Sequence, residues 1–174
     1  IRRAAELESQ EQWAQALSIY ESLLARDASL VDVRARLIPA RVRADLDQRL
    51  VEATDDPLGL TSRAAYDKGQ QTLQDARSIP NPGSRLAGQI ENLEKYLKLA
   101  LTPVDVLFTS DNQTNVVLFR IAELGRFEQT SVTLRPGRYI VAGTRQGYRD
   151  VRVEFTVTGE PLDGPIVVQC LEPV

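Results

Sequence analysis

Apolar positions change their period once along this chain, at Thr102-Pro103. Before that point they recur every three to four residues. Ala16, Tyr20, Leu23 and Leu24 form one stripe, and Leu30, Val33 and Leu37 another. Leu86, Ile90, Leu93 and Leu97 form the clearest. Such spacing turns one face of a helix toward a core. After that point apolar and polar residues alternate. Val151, Val153, Phe155 and Val157 fall on one side of an extended chain, and Asp150, Arg152, Glu154 and Thr156 on the other. That is the mark of a half-buried strand. The pattern predicts an α+β protein of two modules: a helical bundle over 1–101 and a small antiparallel β-sandwich over 103–174.

Within the first module the punctuation predicts about five helices. Two lie in residues 4–28. A long one follows over 29–54, about 39 Å at 1.5 Å per residue, interrupted or kinked at Pro39. Asp55-Asp56-Pro57-Leu58-Gly59 is a turn, 62–79 a helix, and Pro80-Asn81-Pro82-Gly83 another turn. Ser84 is the natural N-cap of the last helix. That helix carries Glu91–Lys95 and Glu94–Lys98 at the favourable i,i+4 spacing. In the second module, strands are expected at 104–109, 115–121, 127–134, 138–144, 150–157 and 165–171. Each is short and bounded by Gly, Pro, Asn or Asp.

Two resemblances sharpen this reading. Ala4, Trp13, Ala16, Tyr20 and Leu24 fall where a tetratricopeptide repeat places small, aromatic, small, aromatic and aliphatic residues. The repeat's Gly near the inter-helix turn is replaced by Gln10-Glu11-Gln12, and its terminal Pro by Ala28. Leu134-Arg135-Pro136-Gly137-Arg138-Tyr139, followed by Gly147-Tyr148, resembles the strand entry of the PEGA family of bacterial β-sandwich modules. Val104–Asp111 is similar to that family's first strand and turn, and Leu124-Gly125-Arg126 to a later glycine turn. Asn112-Gln113-Thr114-Asn115 stands where the family has its Pro-Glu-Gly-Ala, and Asn tolerates the left-handed backbone that Gly would supply. The resemblance covers about 103–157. It implies an envelope-associated module that binds rather than catalyses.

Composition narrows the chemistry. The chain has 174 residues, 43% of them hydrophobic, with a net charge of −3. Nothing in this balance suggests a nucleic-acid partner. No apolar run is long enough to span a membrane. The chain has no Met and starts at Ile1 inside a helical pattern, so a parent anchored upstream at the inner membrane is expected. Without His there is no Ser-His-Asp or Cys-His catalysis and no histidine zinc site. Cys170 stands alone and reads as a small buried hydrophobe. Asp55-Asp56 reads as a helix stop. Ser110–Asn115 spaces its oxygens like a calcium loop but lacks that loop's Gly and Glu, so it reads as a turn. No catalytic residue, cofactor or metal is expected.

One basic feature stands out. The β module has seven arginines and no lysine against nine acidic residues, a net of −2. Arginine suits bidentate recognition of carboxylates. Arg135, Arg138, Arg145 and Arg149 are therefore the candidate partner-binding residues, with an acidic protein surface as the partner. The expected function is a non-enzymatic protein–protein interaction adaptor or scaffold at the periplasmic face of the bacterial inner membrane. The alternatives are a glycan- or peptidoglycan-binding module, an accessory region of a larger signalling enzyme such as a kinase, and a cytoplasmic location.

Overall fold

A computed structural model describes all residues, Ile1–Val174. The chain divides into a helical unit, Ile1–Leu97, and a second unit, Lys98–Val174. Five α-helices come first: α1 (Arg2–Ser9), α2 (Trp13–Arg26), α3 (Val31–Asp55), α4 (Arg63–Arg77) and α5 (Ser84–Ala100). A short 3-10 turn, Pro57–Thr61, joins α3 to α4. Seven strands follow: β1 (Val104–Thr109), β2 (Asn115–Leu118), β3 (Ala122–Gly125), β4 (Gln129–Leu134), β5 (Gly137–Thr144), β6 (Val151–Val157) and β7 (Ile166–Val167).

In the helical unit, Ala4, Ala16, Tyr20, Val33 and Ala40 close a fully buried core. Leu7, Trp13, Leu24 and Leu37 pack around it. The alanines let α1, α2 and α3 approach closely, and the Tyr20 ring fills the space beside them. Pro39 does not interrupt α3. The helix runs through it for 25 residues, because Ala40, Leu46 and Leu50 beyond the proline are buried and hold the second half in place. Farther on, Gly69 brings α4 close to α5. A Cβ there would lie 3.1 Å from Leu97 Cδ2 and 3.3 Å from Leu60 Cδ2.

The inter-helix turn of the first hairpin carries a feature absent from the expectation. Glu11 adopts a left-handed backbone, with φ 55°, at a place where glycine would be free of strain. Its carboxylate reaches across the unit to the start of α5. Oε2 accepts the Arg85 N–H at 2.7 Å, and Oε1 accepts the Leu86 N–H at 3.1 Å. Glu11 therefore caps α5 in the role expected of Ser84. Oε1 also lies 3.4 Å from Arg43 Nη2, and both side chains are largely buried. The Arg43 guanidinium in turn sits 4.5 Å over the Trp13 ring. A carboxylate at a helix N-terminus satisfies orphan N–H groups and favours the helix dipole.

The strands form two sheets, ordered β4-β1-β7 and β3-β2-β5-β6. Neighbours are antiparallel except β1 and β7, which are parallel. Val104, Val106, Phe108 and Leu134 from one sheet meet Val116, Leu118, Val141 and Val157 from the other in a single core. Phe155 stacks on Tyr139 at 5.6 Å and meets Phe108 edge-on at 5.7 Å. The Tyr139 hydroxyl donates to the Arg135 carbonyl at 2.7 Å, so the ring is packed while its polar end is satisfied.

Three strand boundaries differ from expectation. The 115–121 strand stops at Leu118, and the chain reverses through Phe119-Arg120-Ile121 into β3, which had no strand signal of its own. The 127–134 strand begins at Gln129. The 165–171 strand shrinks to Ile166–Val167 because side chains and isolated backbone bonds take over the rest. The Ser110 hydroxyl donates to the Val168 carbonyl at 2.7 Å, and Thr114 Oγ1 accepts the Cys170 N–H at 3.1 Å. Cys170 is 1% exposed, and its thiol donates to the Gly143 carbonyl at 3.2 Å.

Candidate functional site

The four expected arginines do not form one group. Arg138 is the second residue of β5 and Arg145 follows its last, seven residue steps on, or about 23 Å along an extended strand. Arg145 is committed to the fold. Its Nη1 lies 3.3 Å from Asp111 Oδ2, and its Nη2 donates to the Gln113 amide oxygen. Its guanidinium covers the Tyr148 ring at 3.9 Å. Arg149 is exposed and pairs with Glu172 at 3.4 Å. Its backbone N–H donates to the Glu172 carbonyl at 2.8 Å. Arg135 is exposed, and its carbonyl anchors Tyr139. Arg138 points out from the four-stranded sheet.

Asp111 completes the Arg145 knot. Oδ1 accepts the Gln113 N–H at 2.9 Å and the Thr114 N–H at 2.7 Å. Burial pushes its carboxyl up. The bonds from Thr114 and Gln113 and the charge of Arg145 outweigh that and bring it to about 2. Asn112 takes the left-handed backbone, φ 57°, that its residue type permits. Both carboxylate oxygens are thus occupied by donors, and the loop is a strand connection.

The outward face of the four-stranded sheet brings together a different set. The β2–β3 reversal holds Arg120 in a left-handed conformation, φ 61°. The Phe119 N–H donates to the Ile140 carbonyl at 3.0 Å, and the Ile121 N–H to the Leu118 carbonyl at 3.1 Å. The turn is therefore fixed by backbone bonds at both ends. It leaves Phe119 51% and Ile121 52% exposed. They flank a shallow groove of about 430 Å³ with Arg120, Arg138, Ile140 and Arg152. Arg152 pairs with Glu154 at 3.0 Å. Arg120 and Arg138 form no ion pair. Two uncompensated guanidinium groups beside exposed aromatic and aliphatic carbon are suited to a ligand that carries carboxylates and some apolar surface.

Of this set, Arg138 was expected; Phe119, Arg120, Ile121 and Arg152 were not. A left-handed Arg120 has no compositional signature. The unbroken run Val116-Val117-Leu118-Phe119 was the one available signal, because strict alternation would send Val117 and Phe119 to solvent.

The helical unit has an exposed apolar stripe of its own. Val31, Ile38 and Val42 on α3 are 72%, 70% and 52% exposed. Beside them runs an open groove of about 500 Å³ lined by Arg41, Val42, Asp45, Arg49, Asp75 and Ile79. Its charges are paired: Arg49 Nη2 donates to Asp75 Oδ2 at 2.6 Å. Hydrogen bonds from Arg49, and then from Gln71, hold the Asp75 carboxyl below its ordinary range. In the core of the first three helices, burial and the neighbouring Glu8 carboxylate push the Tyr20 phenol up. Its hydroxyl makes no hydrogen bond of ordinary geometry.

No group of three or more Cys, Asp or Glu side chains gathers as metal donors. No helix is long and apolar enough to cross a membrane. No protein-family model matches the chain, and no curated protein matches it.

Proposed function

We propose that the chain is a non-enzymatic interaction adaptor or scaffold of the bacterial cell envelope, built from a tetratricopeptide-like helical unit and a PEGA-like β-sandwich. The single observation that carries this reading is the outward sheet face. It presents Phe119 and Ile121 to solvent beside the unpaired Arg120 and Arg138. Exposed apolar side chains rimmed by charge mark a contact surface. The buried Ala4, Ala16 and Tyr20 support the repeat-like reading of the helical unit. One core fed by both sheets supports the sandwich. The partner is an acidic protein surface, because a β module of net charge −2 is a poor general polyanion binder. Its place is the periplasmic face of the inner membrane, as the PEGA-like turns imply.

A photo-crosslinking side chain placed at Phe119 in the living cell tests the contact. A discrete protein adduct is expected, weakened by Arg120→Glu with Arg138→Glu and by added salt. An adduct unchanged by both defeats the acidic-partner reading. Retention on purified peptidoglycan in place of a protein adduct favours the glycan alternative.

A further inference from the structure

We propose that β6 pairs edge to edge with β6 of a second copy, antiparallel and centred on Val153, joining two four-stranded sheets into one eight-stranded sheet. β6 is an edge strand in the order β3-β2-β5-β6. Edge strands are ordinarily guarded by shortness, bulges, Pro or Lys. In this unit β7 has two residues, and β3 has four with a register shift in its pairing. β4 carries no charged side chain to select a register. β6 has seven residues, Val-Arg-Val-Glu-Phe-Thr-Val, with no Pro, Gly or Lys. It pairs with β5 in unbroken register from Gly137↔Val157 to Gly143↔Val151. Its inward residues Val151, Val153 and Phe155 remain only partly buried, whereas Val157 is fully buried.

The charges choose the partner and the register. Arg152 and Glu154 are 62% and 70% exposed on the outward face. A two-fold axis at Val153 sets Arg152 opposite Glu154 of the second copy, and the reverse, so that four charges alternate in sign. The same register sets Val151 opposite Phe155 on the inward face, a favourable β-branched–aromatic pair. A two-residue slip one way puts Glu154 opposite Glu154, and the other way puts Arg152 opposite Arg152. A one-residue slip turns the apolar set to solvent. One register therefore satisfies both faces, and it is self-complementary, as an isologous two-fold interface requires. This inference concerns the edge of the sheet and the acidic-partner reading its face; Arg152 borders both, and the Glu154 reversal, at a residue outside the groove, tells them apart.

Sedimentation equilibrium of the full chain tests it. The wild type is expected to dimerise with concentration. Arg152→Glu and Glu154→Arg each set like charges opposite one another, and each should weaken the dimer roughly ten-fold at low salt. The swapped double variant, Arg152→Glu with Glu154→Arg, should restore it. Hydrogen exchange on the wild type provides a readout free of any substitution: amides within Val151–Phe155 should gain protection as concentration rises. A wild type that stays monomeric at its highest soluble concentration overturns the proposal. So does a dimer indifferent to both single reversals, or β6 amides whose protection ignores concentration.

Discussion

Single residues decide where this fold departs from its simplest pattern. Glu11 occupies a left-handed position that glycine would fill without strain, and it stays because its carboxylate is the cap of α5. Glu11→Ala should destabilise the helical unit by about 2 kcal/mol, since it orphans two helix N–H groups and the Arg43 guanidinium together. Glu11→Gly loses the same bonds but relieves the backbone, so it should be about 1 kcal/mol more stable than the alanine variant. Urea unfolding of the pair separates cap from strain, and equal stabilities would show that the turn stores none. Asp111 gives the β unit its acid sensitivity. Its carboxyl titrates near 2 in the folded chain, below its ordinary 3.8. The stabilisation is therefore complete above the unfolded value and is lost as pH falls through the folded one. Asp111→Asn should remove about 2 kcal/mol of pH dependence between roughly pH 4 and pH 2. Parallel unfolding curves for variant and wild type across that window would show that Asp111 is not the titrating group.

At the scale of elements, the long periodic segments were legible and the short ones were not. α3, α4 and α5 lie within a few residues of where their apolar stripes place them, because a helix that buries one face must repeat it. β1, β5 and β6 follow from alternation in the same way. β3 was missed because it is a four-residue edge strand whose residues are exposed or only half-buried, so no alternation records it. The four arginines are spread out for a related reason: closeness in sequence says nothing about distance when most of an extended strand separates Arg138 from Arg145. Pro39 shows tertiary packing overriding a local breaker. It lies exposed within α3, next to the buried Ala40. Its ring removes a backbone bond to Ala35 at no packing gain. Pro39→Ala should therefore stabilise the chain by about 1–3 kcal/mol. A lowered melting temperature would mean instead that the proline sets a bend that the first helical core requires.

For the molecule as a whole, each unit carries a buried core. Ala4, Ala16, Tyr20, Val33 and Ala40 build one core of the helical unit, and a β core runs from Val104 to Val168. The C-terminal segment is tied into the β unit from several directions: Ser110 to Val168, Thr114 to Cys170, Arg149 to Glu172, and the Val174 N–H to the Gly147 carbonyl at 3.1 Å. Those ties replace the ladder that a longer β7 would have provided. They also fix the chain end without a disulfide, since Cys170 is the single cysteine. A fragment spanning residues 98–174 should consequently fold by itself. Its small size sets the expected stability at a few kcal/mol. Cooperative urea unfolding with dispersed amide resonances is the predicted result. Removing Leu171–Val174 should cost a large part of that stability, because it frees Arg149, Gly147 and Tyr148 together. A fragment that binds hydrophobic dye and melts without a transition would show that the β core needs the helical unit after all.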